Sequence, residues 1–334
     1  MKYISKLISA AAGLLWLASA IPSHAEDAPA WKEQSSTGLI PLSAMSASDK
    51  YKGEDGGLYG GGRNVPPDAQ RAAALKASQQ ITPLDAQGHP SPAGRIGFIS
   101  LGMSNTAGEF TVFKEIADRD PRKSPAVEIV NCAVGGAGVH SWTQADSGVW
   151  SKSLEALKQG NLTPEQVEVA WIKHAEPMPE EDQSVLEYAK KIRTDIATAI
   201  RITKAKFPNL KIAYLSSRTY GGYNAAGRRR VNPEPFAYET AFAVRWVIED
   251  QINGQAHNFD PAKGAVQAPV LLWGPYLWAD GIKPRKGDGL AWLRSDFGQD
   301  GVHPTRDQGA VKVARLLLEF CASDPTASRW FVKR

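Results

Sequence analysis

Cysteine is almost absent: 334 residues carry only Cys132 and Cys321, with no C-x-x-C pair. A disulfide-built scaffold is excluded, and nothing suggests a thiolate zinc site. Cys132 ends one strand pattern, while Cys321 lies far along a helical pattern that runs away from the same end of the sheet. No bridge between them is expected. Histidine is also scarce, at six. Asp296 and Asp300 stand near His303, but no second histidine sits at a ligand spacing, so neither metal nor cofactor is expected. An excess of one charge is missing too: 39 basic against 35 acidic residues leave +4. That balance argues against a nucleic-acid partner or an anionic membrane surface. Arg228-Arg229-Arg230 is the one compact basic run, and in its Gly- and Asn-containing setting it reads as a solvated loop. Beyond residue 25 no stretch is apolar enough to span a bilayer, and no internal repeat is visible.

What is present begins with the start of the chain, "MKYISKLISAAAGLLWLASAIPSHA". Lys2 and Lys6 precede an apolar stretch from Leu7 to Ile21, and Ser23-His24-Ala25 resembles a cleavage site. Residues 1–25 are read as a secretory signal, with a membrane anchor as the alternative. The expected mature protein is secreted or periplasmic, monomeric and free of stable membrane insertion. Residues 26–94 show no sustained periodicity apart from "PDAQRAAALKASQQ". They read as an irregular extension wrapping the main domain, with Trp31, Tyr51, Leu58 and Tyr59 to bury; a disordered linker is the alternative.

From Arg95 a rhythm sets in. Apolar runs at 95–101, 126–131, 167–173, 210–216 and 269–273 predict strands. Between them lie helical stripes: Phe110, Phe113 and Ile116; Leu186, Ala189, Ile192, Ile196 and Ile200; Phe242, Trp246 and Val247. A last helix is expected from Pro304, which precedes the apolar Val311, Val313, Leu316 and Leu317. Strands alternating with helices predict an α/β fold over 95–334, a three-layer α/β/α sandwich around a parallel sheet.

Ligands of such sheets sit beyond the carboxyl ends of the strands. There the chain places "GMSN", "NCAVGGAG", "KHAEP", "SSRTYGGY" and "SDFGQDGVHPT". A serine, a double glycine, a histidine and an Asp-x-x-His share one rim, and together they fit acyl transfer. Ser104 needs a base, His303 can be that base, and Asp300 can fix its tautomer. Gly135 and Gly136 let backbone N–H groups approach an oxyanion. Taken singly, each has a plain structural meaning: Ser104 a helix cap, Gly135-Gly136 a turn, Asp300-Gly301 a turn before a helix.

The set resembles the SGNH/GDSL hydrolase superfamily over roughly 95–322. "SLGMSN" is similar to its first block, "NCAVGGAG" to its second and "DGVHP" to its last. The resemblance implies Ser104 as nucleophile, Asp300 and His303 as triad partners, Gly136 with Ser104 in the oxyanion hole, and a flavodoxin-like five-stranded sheet of order 2-1-3-4-5. It implies ester hydrolysis without metal, often of acetyl groups on carbohydrates or lipids. Met103 stands where the first block usually has an acid. His174 stands where the sialate O-acetylesterase branch has a glutamine, which gives it the place of a third oxyanion donor. Trp142, Arg218 and Tyr220 are candidates for substrate contact. Trp142, Trp150, Tyr220, Tyr223 and Trp278 are aromatics that could stack on a sugar. An exported serine esterase acting on a small or carbohydrate ester is the leading reading. A binding protein that kept the fold without the activity, and an acyltransferase on the same triad, remain the alternatives.

Overall fold

Apolar runs without strict alternation belong to strands covered on both faces, and in this chain they form the sheet. The strands are β1 Ile96–Gly102, β2 Val127–Asn131, β3 Val167–Lys173, β4 Ile212–Leu215 and β5 Val270–Trp273. All pair in parallel, in the order β2-β1-β3-β4-β5. Every residue of β1, β3, β4 and β5 is buried. The computed structural model describes residues 33–177, 185–224 and 231–333. The signal reading of residues 1–25, Trp31 and the Arg228–Arg230 run lie outside them.

The helices are α1 Asp68–Gln79, α2 Ser104–Ala117, α3 Gly148–Gln159, α4 Val185–Lys206, α5 Phe236–Ile252, α6 Val311–Ser323 and the short α7 Ser328–Phe331. Helix α2 lies against α6, and α4 against α5. The stripe read on α2 is its core face. Phe110 stacks on Trp171 of β3 with centroids 5.7 Å apart, and it meets Phe98 of β1 edge-on at 5.3 Å. The last helix departs from expectation. Residues Arg306–Ala310 form a π-helical turn, and α6 begins only at Val311. The Ala310 N–H reaches back to the Thr305 carbonyl at 2.8 Å. Gly309 passes so close to the Asp296 carbonyl that a side chain there would collide with it.

Residues 33–64 run without α-helix or strand, and side chains fasten them to the rest. The Trp273 indole donates to the Leu58 carbonyl at 2.6 Å, Tyr51 Oη donates to Glu239 at 2.5 Å, and Arg245 holds both Glu54 and Asp55. Asp280, beyond β5, accepts hydrogen bonds from Ser36, Thr37 and Gly38. Cys132 and Cys321 are free and buried. Among the described residues no helix is long and apolar enough to cross a membrane.

Candidate active site

Strand order reverses at β1: the chain steps to β2 on one side and then crosses to β3 on the other. Such a switch opens a crevice at the carboxyl ends of the two central strands. Gly102 closes β1 there because nothing larger fits. A Cβ at this position would run into the Lys173 carbonyl and the Thr106 hydroxyl. Two residues later Ser104 opens α2, at the helix end where backbone N–H groups and the macrodipole favour negative charge. The neighbouring loop is as tight. Ala137 N–H bonds to the Val134 carbonyl at 3.3 Å, with Gly136 at φ +76° inside the turn. A Cβ built on Gly135 would sit 4.0 Å from that of Ser104. Among the described residues neither the Ser104 nor the Gly136 N–H has a protein acceptor.

The third part comes from the loop before α6. Asp300 Oδ1 accepts the backbone N–H groups of Val302 at 2.9 Å and His303 at 3.0 Å, an Asx-turn. Gly301 takes φ +65° against the Tyr223 carbonyl, where a side chain would clash. This turn leaves Asp300 Oδ2 2.5 Å from His303 Nδ1, and His303 Nε2 2.8 Å from Ser104 Oγ. Asn105 ties the two halves together by donating to the Val302 carbonyl at 2.8 Å. Burial raises the Asp300 pKa, but the hydrogen bonds from the His303 ring and the two N–H groups outweigh it and hold the carboxyl below its ordinary value. The Asp300 and His303 side chains are each 47% exposed.

No family model and no curated protein matches the chain. Among solved structures it is similar to a protein of Arabidopsis thaliana, at 11% identity and TM-score 0.36, over 64% of this chain and 67% of that one. It is similar to a salicylyl-acyltransferase from a tetracycline biosynthetic pathway, at 10% and 0.36, over 71% and 58%. A gut microbial diltiazem-metabolizing enzyme overlaps at 13% and 0.36, over 70% and 48%. The chain thus spans from about half to two thirds of the length of these proteins. Likeness at this level carries no weight about function.

The other candidate residues fall deeper. His174 is buried beside Trp142, ring centroids 5.2 Å apart, with Nδ1 unpartnered. Burial pushes its pKa down to about 3, so the imidazole is neutral. Its neighbour Lys173 points to α2 instead and grips both oxygens of Glu109 at 2.6 and 2.5 Å. Arg218 is buried beyond β4. Trp142, Trp150, Tyr220, Tyr223 and Trp278 are all buried, with rings against one another or against protein. Tyr220 Oη is used up on the Gln34 carbonyl at 2.7 Å. None of the five offers a ring face to solvent.

Two polar pairs escaped the sequence reading. Glu109 is one; the other is His140, whose Nδ1 lies 2.7 Å from Glu176 Oε2 and whose Nε2 lies 3.2 Å from Ser141 Oγ. Both "GVHSW" and "KHAEP" flank the rim, so a histidine and an acid after the two strands on either side of β1 were the available signal.

Proposed function

We infer that the chain is a serine esterase of SGNH type, cleaving small acyl esters through Ser104, His303 and Asp300. One observation carries this reading: the continuous hydrogen-bonded line from Ser104 Oγ through the His303 ring to Asp300, at 2.8 and 2.5 Å. Ser104 Oγ attacks the ester carbonyl as its proton passes to His303 Nε2, and Asp300 steadies the imidazolium. The carbonyl oxygen, now negative, is held by the N–H groups of Ser104 and Gly136 at the positive end of α2, with the neutral His174 as a third donor. Collapse expels the alcohol, which takes the proton from His303. A water deprotonated by His303 then attacks the acyl-serine and releases the acid. On this reading residues 1–25 are a signal, residues 26–94 an extension on the hydrolase domain, and the enzyme works outside the cytoplasm. The buried aromatics do not narrow the alcohol to a sugar.

The test is turnover of p-nitrophenyl acetate by the mature protein. Ser104→Ala and His303→Ala are expected to lower kcat by roughly 10⁴–10⁶-fold with the fold intact. Asp300→Asn is expected to cost less, about 10⁴-fold, because it only orients the base. Near wild-type turnover by Ser104→Ala overturns the mechanism.

A further inference from the structure

Arg218 lies just beyond the last residue of β4, on the rim that also carries Ser104. It is 3% exposed, and its Nε and Nη1 have no hydrogen-bond partner. The hydroxyls of its neighbours Ser217 and Thr219 are buried and equally unpartnered. The backbone here is fixed, with the Arg218 N–H donating to Thr240 Oγ1 of α5 at 3.0 Å. A guanidinium does not give up its proton in a protein, and leaving one buried without a counter-ion is strongly unfavourable.

The surrounding acids do not supply that counter-ion. Glu109, Glu234 and Asp300 all lie within electrostatic reach of Arg218. Lys173 occupies both oxygens of Glu109. Glu234 accepts from Gly221 N–H, the Trp278 indole and Tyr238 N–H, and burial pushes its pKa up to about 7. Asp300 is committed to His303 and two backbone N–H groups. A buried cation with unclaimed N–H donors at Nε and Nη1 therefore stands within electrostatic reach of the acid of the triad, flanked by two idle hydroxyls.

We propose that Arg218 binds a carboxylate carried by the substrate, so that the enzyme selects esters with a free carboxylic acid at one end. The selection rests on the esterase reading; the carboxylate site itself does not. A planar fork of N–H donors matches a carboxylate through two parallel hydrogen bonds. A phosphate dianion would bring a second charge, and the nearby Lys173 is already taken by Glu109.

Binding is read first, in Ser104→Ala, where no turnover intervenes. Succinate is expected to give a saturable rise in Tm; inorganic phosphate is not, and the double variant Ser104→Ala/Arg218→Gln loses the rise. Selectivity is read next, by kcat/KM on two matched pairs. One places the carboxylate on the acyl side, p-nitrophenyl hemisuccinate against p-nitrophenyl 4-methylpentanoate. The other places it on the alcohol side, 4-acetoxybutanoate against 4-methylpentyl acetate. The charged member of one pair is expected to be favoured by roughly 10²-fold or more, because its neutral partner leaves the buried site unpaired. Arg218→Gln abolishes that ratio, and Arg218→Lys, which keeps the charge without the fork, retains part of it. A succinate effect that survives Arg218→Gln, phosphate acting in its place, or equal turnover within both pairs overturns the proposal. If no ester is turned over but the succinate effect depends on Arg218, the esterase reading falls and the carboxylate site stands.

Discussion

Lys173 and His174 are adjacent in sequence, yet their side chains meet different surroundings, as alternation along a strand requires. Lys173 turns to Glu109 and His174 to Trp142. His174→Ala is expected to lower kcat by roughly 10²–10³-fold with little change in KM, the usual effect of removing one oxyanion donor, and His174→Gln to recover part of it. Lys173→Ala fails in another way: it strands a buried carboxylate and costs roughly 3–5 kcal/mol of stability. Steady-state kinetics beside thermal melts separate the two, and a His174→Ala enzyme with kcat within a few-fold of wild type removes His174 from the oxyanion hole. Ser104, Asp300 and His303 were legible because each sits in a short block with its own turn residue, Gly102 or Gly301. Glu109 was not, because nothing in its helix marks which strand end it will meet.

At the level of elements, the strands were read to within two residues because a strand buried on both faces leaves an apolar run. One exception inside such a run is Glu168 of β3, which is buried and bonded through Oε1 to the Thr82 N–H at 3.3 Å, with Oε2 unpartnered. Burial pushes its pKa up to about 8. A carboxyl whose pKa is raised by folding contributes its full stability below the unfolded pKa and loses it as pH rises toward the folded value. Glu168→Gln is therefore expected to be close to neutral near pH 4 and to stabilise increasingly up to pH 8, by on the order of 1–3 kcal/mol. Melting curves across that range check it, and a gap that does not change with pH refutes it. The π-helical turn before α6 was illegible, since the close approach of Gly309 to Asp296 within it is a tertiary contact with no local pattern.

Across the whole molecule, residues 33–64 are held by groups that lie far away in the chain. Ser36 and Asp280 are 244 positions apart, for example. Such contacts have no periodicity, which is why this segment read as either a wrap or a linker. Asp280 is one of its clips, gathering Ser36, Thr37 and Gly38. Burial raises the Asp280 pKa, but the hydrogen bonds from Ser36, Thr37 and Gly38 prevail and keep it below the ordinary carboxylate value. Its contribution is thus present above the unfolded pKa and is lost as pH falls through the folded one. Asp280→Ala is expected to cost on the order of 2–3 kcal/mol at neutral pH. It should also open residues 33–64 to limited proteolysis, and the stability gap to wild type should narrow in acid. A variant that melts with wild type at pH 7 refutes this role.

The half-exposed Asp300–His303 pair bears on what becomes of an acyl group once it is on Ser104. Solvent reaches the base directly, so an acyl-enzyme formed here would be short-lived. Its partition is governed by concentration: water is always saturating, whereas an acceptor alcohol would have to be held in place to compete. On the proposed mechanism, an acyl-Ser104 in dilute aqueous surroundings would therefore run toward the free acid, with transfer to a second alcohol as a minor branch.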